Sequence, residues 1–160
     1  MNMEKREVLS LIVKNYYGVL ARIVTLIGRR GYNIDTLTVS ETNHKNISRI
    51  TLTTKGEQAN IDHIIEQILK LEEVIDVFVL EPEKSVIREL LLIKLKADDT
   101  NRGKIRDFVD IFRASIVDLS PGSVVVQLAG KSSTIDGFIT MAEEFEIVEM
   151  CRTGITALSR

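Results

Sequence analysis

The residues best suited to binding chemistry lie between Asn15 and Asn33, a stretch that holds all three tyrosines. No Ser, Thr or Asp stands immediately before Gly18, so the first amides of the helix predicted after it lack an obvious side-chain cap. Such amides attract a carboxylate or phosphate, and glycine lets a ligand approach the backbone. The side-chain carbonyls of the two asparagines can accept hydrogen bonds from an ammonium group. The stretch therefore suits a zwitterionic amino acid, although the same residues also suit ordinary turns.

A strand and a helix must position these residues. The apolar run 8–13 predicts a strand that is central in its sheet. Apolar residues then recur at helical spacing, at Leu20, Ile23, Val24 and Ile27, which predicts a helix over 19–30. Gly31 stands where a left-handed C-terminal cap is expected. Asn15 and Asn33 thus flank this predicted helix and frame the candidate site.

The remainder of the first half completes a known order of elements. Residues 34–41 and 47–54 predict a hairpin, 61–69 a second helix and 74–80 a fourth strand. This βαββαβ order predicts the α+β ferredoxin-like fold, a four-stranded antiparallel sheet with both helices on one face.

The same order is repeated after a polar segment. Residues 82–88 predict a linker, and the second copy has strands at 89–97, 116–119, 124–129 and 147–151. Its helices are predicted over 102–113 and around 135–142, and residues 152–160 as a short loop or extended tail. We therefore predict two tandem ferredoxin-like domains, 1–81 and 89–160, joined by 82–88.

Composition excludes several classes of function. The net charge is −2 and 28% of the residues are charged, a balance that indicates neither a nucleic-acid nor an anionic-membrane partner. The single cysteine, Cys151, cannot form an internal disulfide, which fits a reducing cytoplasm. No apolar run approaches the ~20 residues of a membrane span. Residues 8–13 and 47–54 lack the aromatic residues on which RNA-recognition modules stack bases.

Catalytic chemistry is hard to find. The two histidines, His44 and His63, have no Cys, Asp or His partner at metal-ligand spacing, so no metal site is predicted. No phosphate loop, nucleophile elbow or Gly-x-Gly-x-x-Gly is present, and no catalytic residue is predicted. A small phosphatase on this fold stays open, without a distinct anion-binding loop to support it.

Motifs along nearly the whole chain resemble one family. Residues 15–33 continue into Ile34, then Leu37-Thr38-Val39 and Ser48-Arg49, and look like the N-terminal ACT domain of the small regulatory subunit of acetolactate synthase. Residues 111–113, 116–118, 126–130, 152–154 and 158–160 resemble that family's second domain. One departure is Tyr16-Tyr17, where the family often has a polar or charged residue followed by Pro or Ser.

The resemblance implies a non-catalytic subunit that activates a large subunit and makes it sensitive to valine, in branched-chain amino-acid synthesis leading to valine and isoleucine. Thiamine diphosphate, magnesium and FAD would belong to the large subunit, and this chain would bind no cofactor. It implies a homodimer through ACT domains with valine between two chains. The matching effector positions are Asn15, Gly18, Val19, Leu20, Asn33 and Ile34. The alternatives are a free-standing ACT-type amino-acid sensor that acts on another enzyme or regulator and, third, an independent enzyme.

Overall fold

The structure, a computed structural model, describes residues 5–160. They form two compact units, 5–87 together with 155–160, and 88–154. In chain order the elements before the second repeat are β1 (Lys5–Lys14), α1 (Val19–Arg29), β2 (Ile34–Glu41), β3 (Ile47–Gly56), α2 (Gln58–Ile68) and β4 (Val74–Val79). A 3-10 turn at Pro82–Lys84 follows. The remaining elements are β5 (Ser85–Lys96), α3 (Arg102–Ile111), β6 (Ser115–Ser120), β7 (Ser123–Gly130), α4 (Ser132–Ala142), β8 (Ile147–Arg152) and β9 (Thr156–Ser159).

Both repeats have the predicted fold. The first sheet has the order β2-β3-β1-β4 and the second β6-β7-β5-β8, and the pairs along both are antiparallel. The α+β prediction of two βαββαβ domains is therefore confirmed. The first sheet places β2 at one edge, which leaves that strand's outer hydrogen-bonding groups without a strand among the described residues.

Each repeat has its own hydrophobic core between the sheet and its helices. In the first, Leu9, Leu11 and Val13 of β1 meet Ile23 and Ile27 of α1. In the second, β5 and β7 pack against four phenylalanines, Phe108, Phe112, Phe138 and Phe145, whose rings contact one another. The period-two alternation of each central strand buries one face against helices, which fixes the register of the sheet.

Helix α1 ends as its sequence indicates. Gly31 has φ +76°, the left-handed conformation expected of a C-terminal cap. Its N–H donates to the Gly28 carbonyl at 3.0 Å, and the Tyr32 N–H donates to the Ile27 carbonyl at 3.4 Å. Arg29 lies in the last turn, at the negative end of the helix dipole.

The end of the chain differs from its prediction as a short loop or extended tail. Residues 156–159 form β9, which pairs with β5, and the Arg160 N–H donates to the Lys84 carbonyl at 2.9 Å. Ile155 and Ala157 are buried with Val8 and Leu80, on the side of β1 that faces away from its helices. This apolar contact accounts for the ordered strand, and it groups residues 155–160 with the first unit.

The boundary between repeats also differs from the predicted 82–88 linker. Strand β5 begins at Ser85, four residues before the predicted strand at 89–97, and Ser85 is buried. Pairing with β9 gives this early part of β5 a backbone partner, which explains its extension.

Candidate functional site

The loop before α1 leaves the first turn of the helix without a side-chain cap, as its sequence indicates. Gly18 adopts φ +83° as the N-cap residue, and no side chain caps the helix. Its carbonyl accepts from the Arg22 N–H at 3.0 Å, while the Val19 N–H reaches the Tyr16 carbonyl at 3.4 Å. No acidic residue stands in the first turn. The first turn therefore offers backbone donors and a positive dipole end without a carboxylate of its own.

Asn15 holds this loop to the sheet through its backbone and leaves its side chain exposed. Its N–H donates to the carbonyl of Asn46 at 2.7 Å. Asn46 has φ +65°, in the turn between β2 and β3. Among residues 5–160 the Asn15 side chain has no hydrogen-bond partner, so its amide is available to a ligand.

Asn33 is tied to the start of β2. Its carbonyl accepts from Thr54 Oγ1 at 2.7 Å, and its Nδ2 donates to Asp35 Oδ1 at 3.3 Å. Because the amide nitrogen is engaged, the Oδ1 atom is the part of this exposed side chain that can still accept a hydrogen bond. Ile34, the next residue, is half-buried beside the first core.

The structure does not bring Asn15 and Asn33 together within one chain. Lys14, before Asn15, pairs with Ile47 at the start of β3, whereas Ile34, after Asn33, pairs with Thr54 near its end. Seven residues of a strand span roughly 23 Å. The two asparagines therefore lie at opposite ends of the sheet, and a single chain cannot frame one amino acid with both.

The apolar members of the predicted site have different exposures. Val19 is buried in the first core, so only its backbone can face a ligand. Leu20 is 39% exposed. Val39, absent from the predicted site, is 45% exposed on edge strand β2, at the same end of the sheet as Asn15. The exposed position of Val39 follows from the edge placement of β2, which its sequence alone does not reveal.

The tyrosine pair, where this chain departs from the family's pattern, does not fill the loop. Tyr16 is 60% exposed and Tyr17 is fully exposed. Neither side chain contributes to the first core. The loop backbone therefore stays open despite two bulky residues next to Gly18.

An ion-pair network around one buried carboxylate occupies the second repeat. The carboxylate of Glu89 is 1% exposed and accepts from Arg152 Nη2 at 2.6 Å and from Ser132 Oγ, while Arg152 Nη1 donates to Asp136 at 2.8 Å. Burial lowers the pKa of Arg152, but hydrogen bonds to Glu89 and Asp136 outweigh it and raise the pKa above its ordinary value. Because these charges satisfy one another, we interpret the network as an anchor between β5, α4 and β8 rather than a reactive site.

Among the described residues, no group of three or more His, Cys, Asp or Glu side chains could hold a metal ion. In the same part of the chain no helix has the length and apolar character needed to cross a membrane. Neither observation assigns a function.

Comparison with known proteins decides the family. Residues 9–76 match the family model described as the AHAS small subunit-like ACT domain. Residues 88–160 match a second family model, described as the small subunit of acetolactate synthase. The chain is 40% identical to a probable acetolactate synthase small subunit of Methanothermobacter thermautotrophicus, over 96% of this chain and 92% of that protein. The chain belongs to the family of acetolactate synthase small subunits.

Other relatives agree over their full lengths. The acetolactate synthase isozyme 3 small subunit of Escherichia coli is 37% identical, over 97% of this chain and 96% of that one. The crystal structure of the Thermotoga maritima small subunit superposes with a TM-score of 0.92 at 34% identity, covering 98% of both chains. The first repeat is thus an ACT domain, and the chain is a regulatory small subunit of acetolactate synthase, whose catalysis resides in the large subunit.

Proposed function

We propose that this small subunit activates the thiamine-diphosphate-dependent large subunit and makes it sensitive to valine. The observation that carries the proposal is the uncapped start of α1, where Gly18 is left-handed and no acidic residue competes for the amides. A valine carboxylate would accept hydrogen bonds there and meet the positive end of the helix dipole.

The second half of the site would come from a second copy of the chain. Strand β2 is an edge strand of the first sheet, and two such edges pair antiparallel about a two-fold axis. Glu41, at the end of β2, and Val13, near the Asn15 end of β1, both pair with Ser48 of β3. The end of β2 therefore lies at the same end of the sheet as Asn15. Antiparallel pairing therefore moves the start of the second copy's β2, with its Asn33 and Ile34, toward the Asn15 end of this chain.

Exposed apolar residues support this dimer. Leu20 and Val24 are exposed at i and i+4 on α1, and Val39 is exposed on the side of β2 that faces the helices. An exposed edge strand beside apolar side chains is typical of a protein interface. Pairing the two edges would cover Val39 and give the unpaired backbone of β2 its partners.

Each part of valine has a counterpart in this arrangement. The ammonium group would donate to Oδ1 of Asn15 and to Oδ1 of Asn33 from the second copy, whose Nδ2 already donates to Asp35. The isopropyl group would contact Leu20, Val39 and the second copy's Ile34. Burying a valine side chain supplies about 1.5 kcal/mol, so the charged ends provide most of the affinity and the apolar niche excludes polar amino acids.

Regulation follows from where the ligand lies. A ligand held by two chains favours the dimer geometry that completes both halves of its site. It inhibits a distant active site only to the extent that it binds one conformation of the complex better than another. The cofactors thiamine diphosphate, magnesium and FAD would be bound by the large subunit. The cytoplasmic location of this chain stays a prediction.

The experiment is acetolactate formation by the matching large subunit, with and without this chain, across titrations of valine, leucine and isoleucine. Activation that valine reverses is the expected result. Activation without any effect of valine would keep the partner but contradict the proposed effector site. If the chain neither activates the large subunit nor associates with it on co-expression, the chain is instead a free-standing sensor.

A further inference from the structure

The two flanks of α1 differ in chemistry. At 100° per residue, Val19, Ile23 and Ile27 form the buried stripe. Leu20 and Val24 lie on one flank of that stripe, which the proposed dimer uses. Arg22 and Arg29 lie on the other flank, together with Thr25. The dimer would therefore leave the arginine flank uncovered.

An open groove of about 530 Å³ runs along this second flank. Its apolar floor is formed by Leu26 and Leu71, which are both half-buried against the first core. Arginines line it, at positions 22, 29 and 30, and none of its lining residues is acidic. A concentration of positive charge is notable in a chain whose net charge is −2.

Neighbouring residues hold two of these arginines in position. Arg22 forms an ion pair with Glu73. Arg30 Nη1 lies 2.8 Å from Nε2 of His63, and its Nη2 donates to Gln67 at 3.1 Å. A guanidinium can only donate, so Nε2 of His63 is the acceptor side of this contact. Both arginines therefore have partners beside the groove, and Glu73 offsets part of the charge of Arg22.

Arg29 differs from the other two. It is exposed, and among residues 5–160 its side chain has no hydrogen-bond or ion-pair partner. Its five N–H donors are free to bind a carboxylate in a bidentate manner. The groove thus combines an apolar floor, two arginines with partners and one arginine, Arg29, whose donors are free.

We propose that this groove binds an acidic segment of the large subunit, with a carboxylate on Arg29 and an apolar side chain between Leu26 and Leu71. The inference rests on the regulatory role proposed above and names the surface through which it acts. Charge complementarity selects the occupant: the lining attracts carboxylates and repels another basic surface. A second copy of the chain is a poorer occupant, because two-fold pairing of this flank would place arginines against arginines.

The test measures how much small subunit gives half-maximal activation of the large subunit. For Arg29→Glu, attraction becomes repulsion, and we expect that concentration to rise by roughly tenfold or more. Arg29→Lys keeps the charge but loses the bidentate geometry, so its effect should be smaller. The matched control is Arg106→Glu, which makes the same change at an exposed arginine on α3 and should behave as wild type.

Two further readouts separate a docking role from a folding defect. The Arg29→Glu chain should dimerise and bind valine as wild type does, and added salt should weaken wild-type binding to the large subunit more than it weakens the variant's. Wild-type half-saturation in both Arg29→Glu and Arg22→Glu would overturn the groove assignment alone. A wild-type chain that never binds the large subunit would overturn the proposed function as well.

Discussion

The loop between β1 and α1 and the loop between β5 and α3 occupy the same place in two copies of one fold. The first contains Asn15 and Gly18 and no carboxylate. In the second, Asp98 Oδ1 accepts from the N–H groups of Thr100 and Asn101 at 2.8 and 3.1 Å. Asn101 returns a hydrogen bond, since its Oδ1 accepts from the Asp98 N–H at 2.9 Å. The loop before α1 therefore leaves its amides available to an anion, whereas the amides before α3 already bind the carboxylate of Asp98.

This difference favours the first repeat over the second as the place of the proposed effector site. A ligand carboxylate that approached α3 would meet Asp98, and like charges at about 4 Å repel by roughly 1 to 4 kcal/mol, depending on exposure to water. The same ligand at α1 would meet only backbone donors and the Asn15 amide. The fold therefore supplies a helix start in both repeats, and the residues of the loop decide whether it is available.

The first repeat also differs because residues 155–160, at the end of the chain, pack against it. The Ile155→Ala variant tests this packing contact. Ile155 is 4% exposed beside Val8 and Leu80, so its truncation should lower the free energy of unfolding by about 2 to 4 kcal/mol. All three tyrosines lie in the first repeat, so tyrosine fluorescence during urea unfolding reports on that repeat.

The control is Leu158→Ala, three residues further along in β9 but 55% exposed, which should change stability by less than about 0.5 kcal/mol. Equal effects of the two substitutions on the tyrosine transition would contradict the assignment of residues 155–160 to the first unit.

The Gly18→Asp variant would make the first loop resemble the second. An aspartate at position 18 is strained by the left-handed backbone there, but Asp adopts that conformation more readily than most residues and suits the helix dipole. The chain should therefore fold and activate the large subunit. Its carboxylate would occupy the amides and repel valine by about 1 to 4 kcal/mol. The valine concentration for half-inhibition should therefore rise tenfold or more in acetolactate assays.

A matched control adds the same charge to the second repeat. Gly122→Asp lies in the turn between β6 and β7, where a side chain has open space. It should leave valine inhibition unchanged. Undiminished inhibition in Gly18→Asp would show that valine does not bind at the start of α1.

The smallest effect is expected from Asp98→Asn, which keeps the shape of the second loop but removes the charge of the carboxylate that accepts its hydrogen bonds. The hydrogen bond from the Thr100 hydroxyl, followed by that from the Thr100 amide, lowers the pKa of Asp98. A pKa that is lower in the folded state means that the charge stabilises the fold above the unfolded pKa of about 3.9. This contribution is lost as the pH falls through the folded pKa.

Urea unfolding followed by circular dichroism at two pH values measures the difference. Asp98→Asn should be less stable than wild type at neutral pH, and the two proteins should converge in strong acid. A difference that persists unchanged at low pH would contradict the charged interaction.

Sequence patterns were sufficient for the order of elements but not for how distant residues meet. Helix α1 and its cap follow from local spacing and from Gly31, whose left-handed backbone is confirmed. The interpretation that Asn15 and Asn33 frame one site overlooked their separation within a chain, since eleven helical residues span roughly 16 Å. Strand β9 was not predictable, because a four-residue strand with one buried apolar residue, Ala157, cannot be distinguished from a loop before its partner strand is known.

Subunit complementation is the most direct test of a site shared between two chains. Asn15→Ala and Asn33→Ala chains, each alone, would form dimers whose two sites both lack one asparagine. After subunit exchange, each mixed dimer would have one site with both asparagines and one with neither. Calorimetry of the mixture should therefore recover valine sites of wild-type affinity that neither variant shows by itself. A mixture that binds valine no better than the separate variants would contradict the shared site.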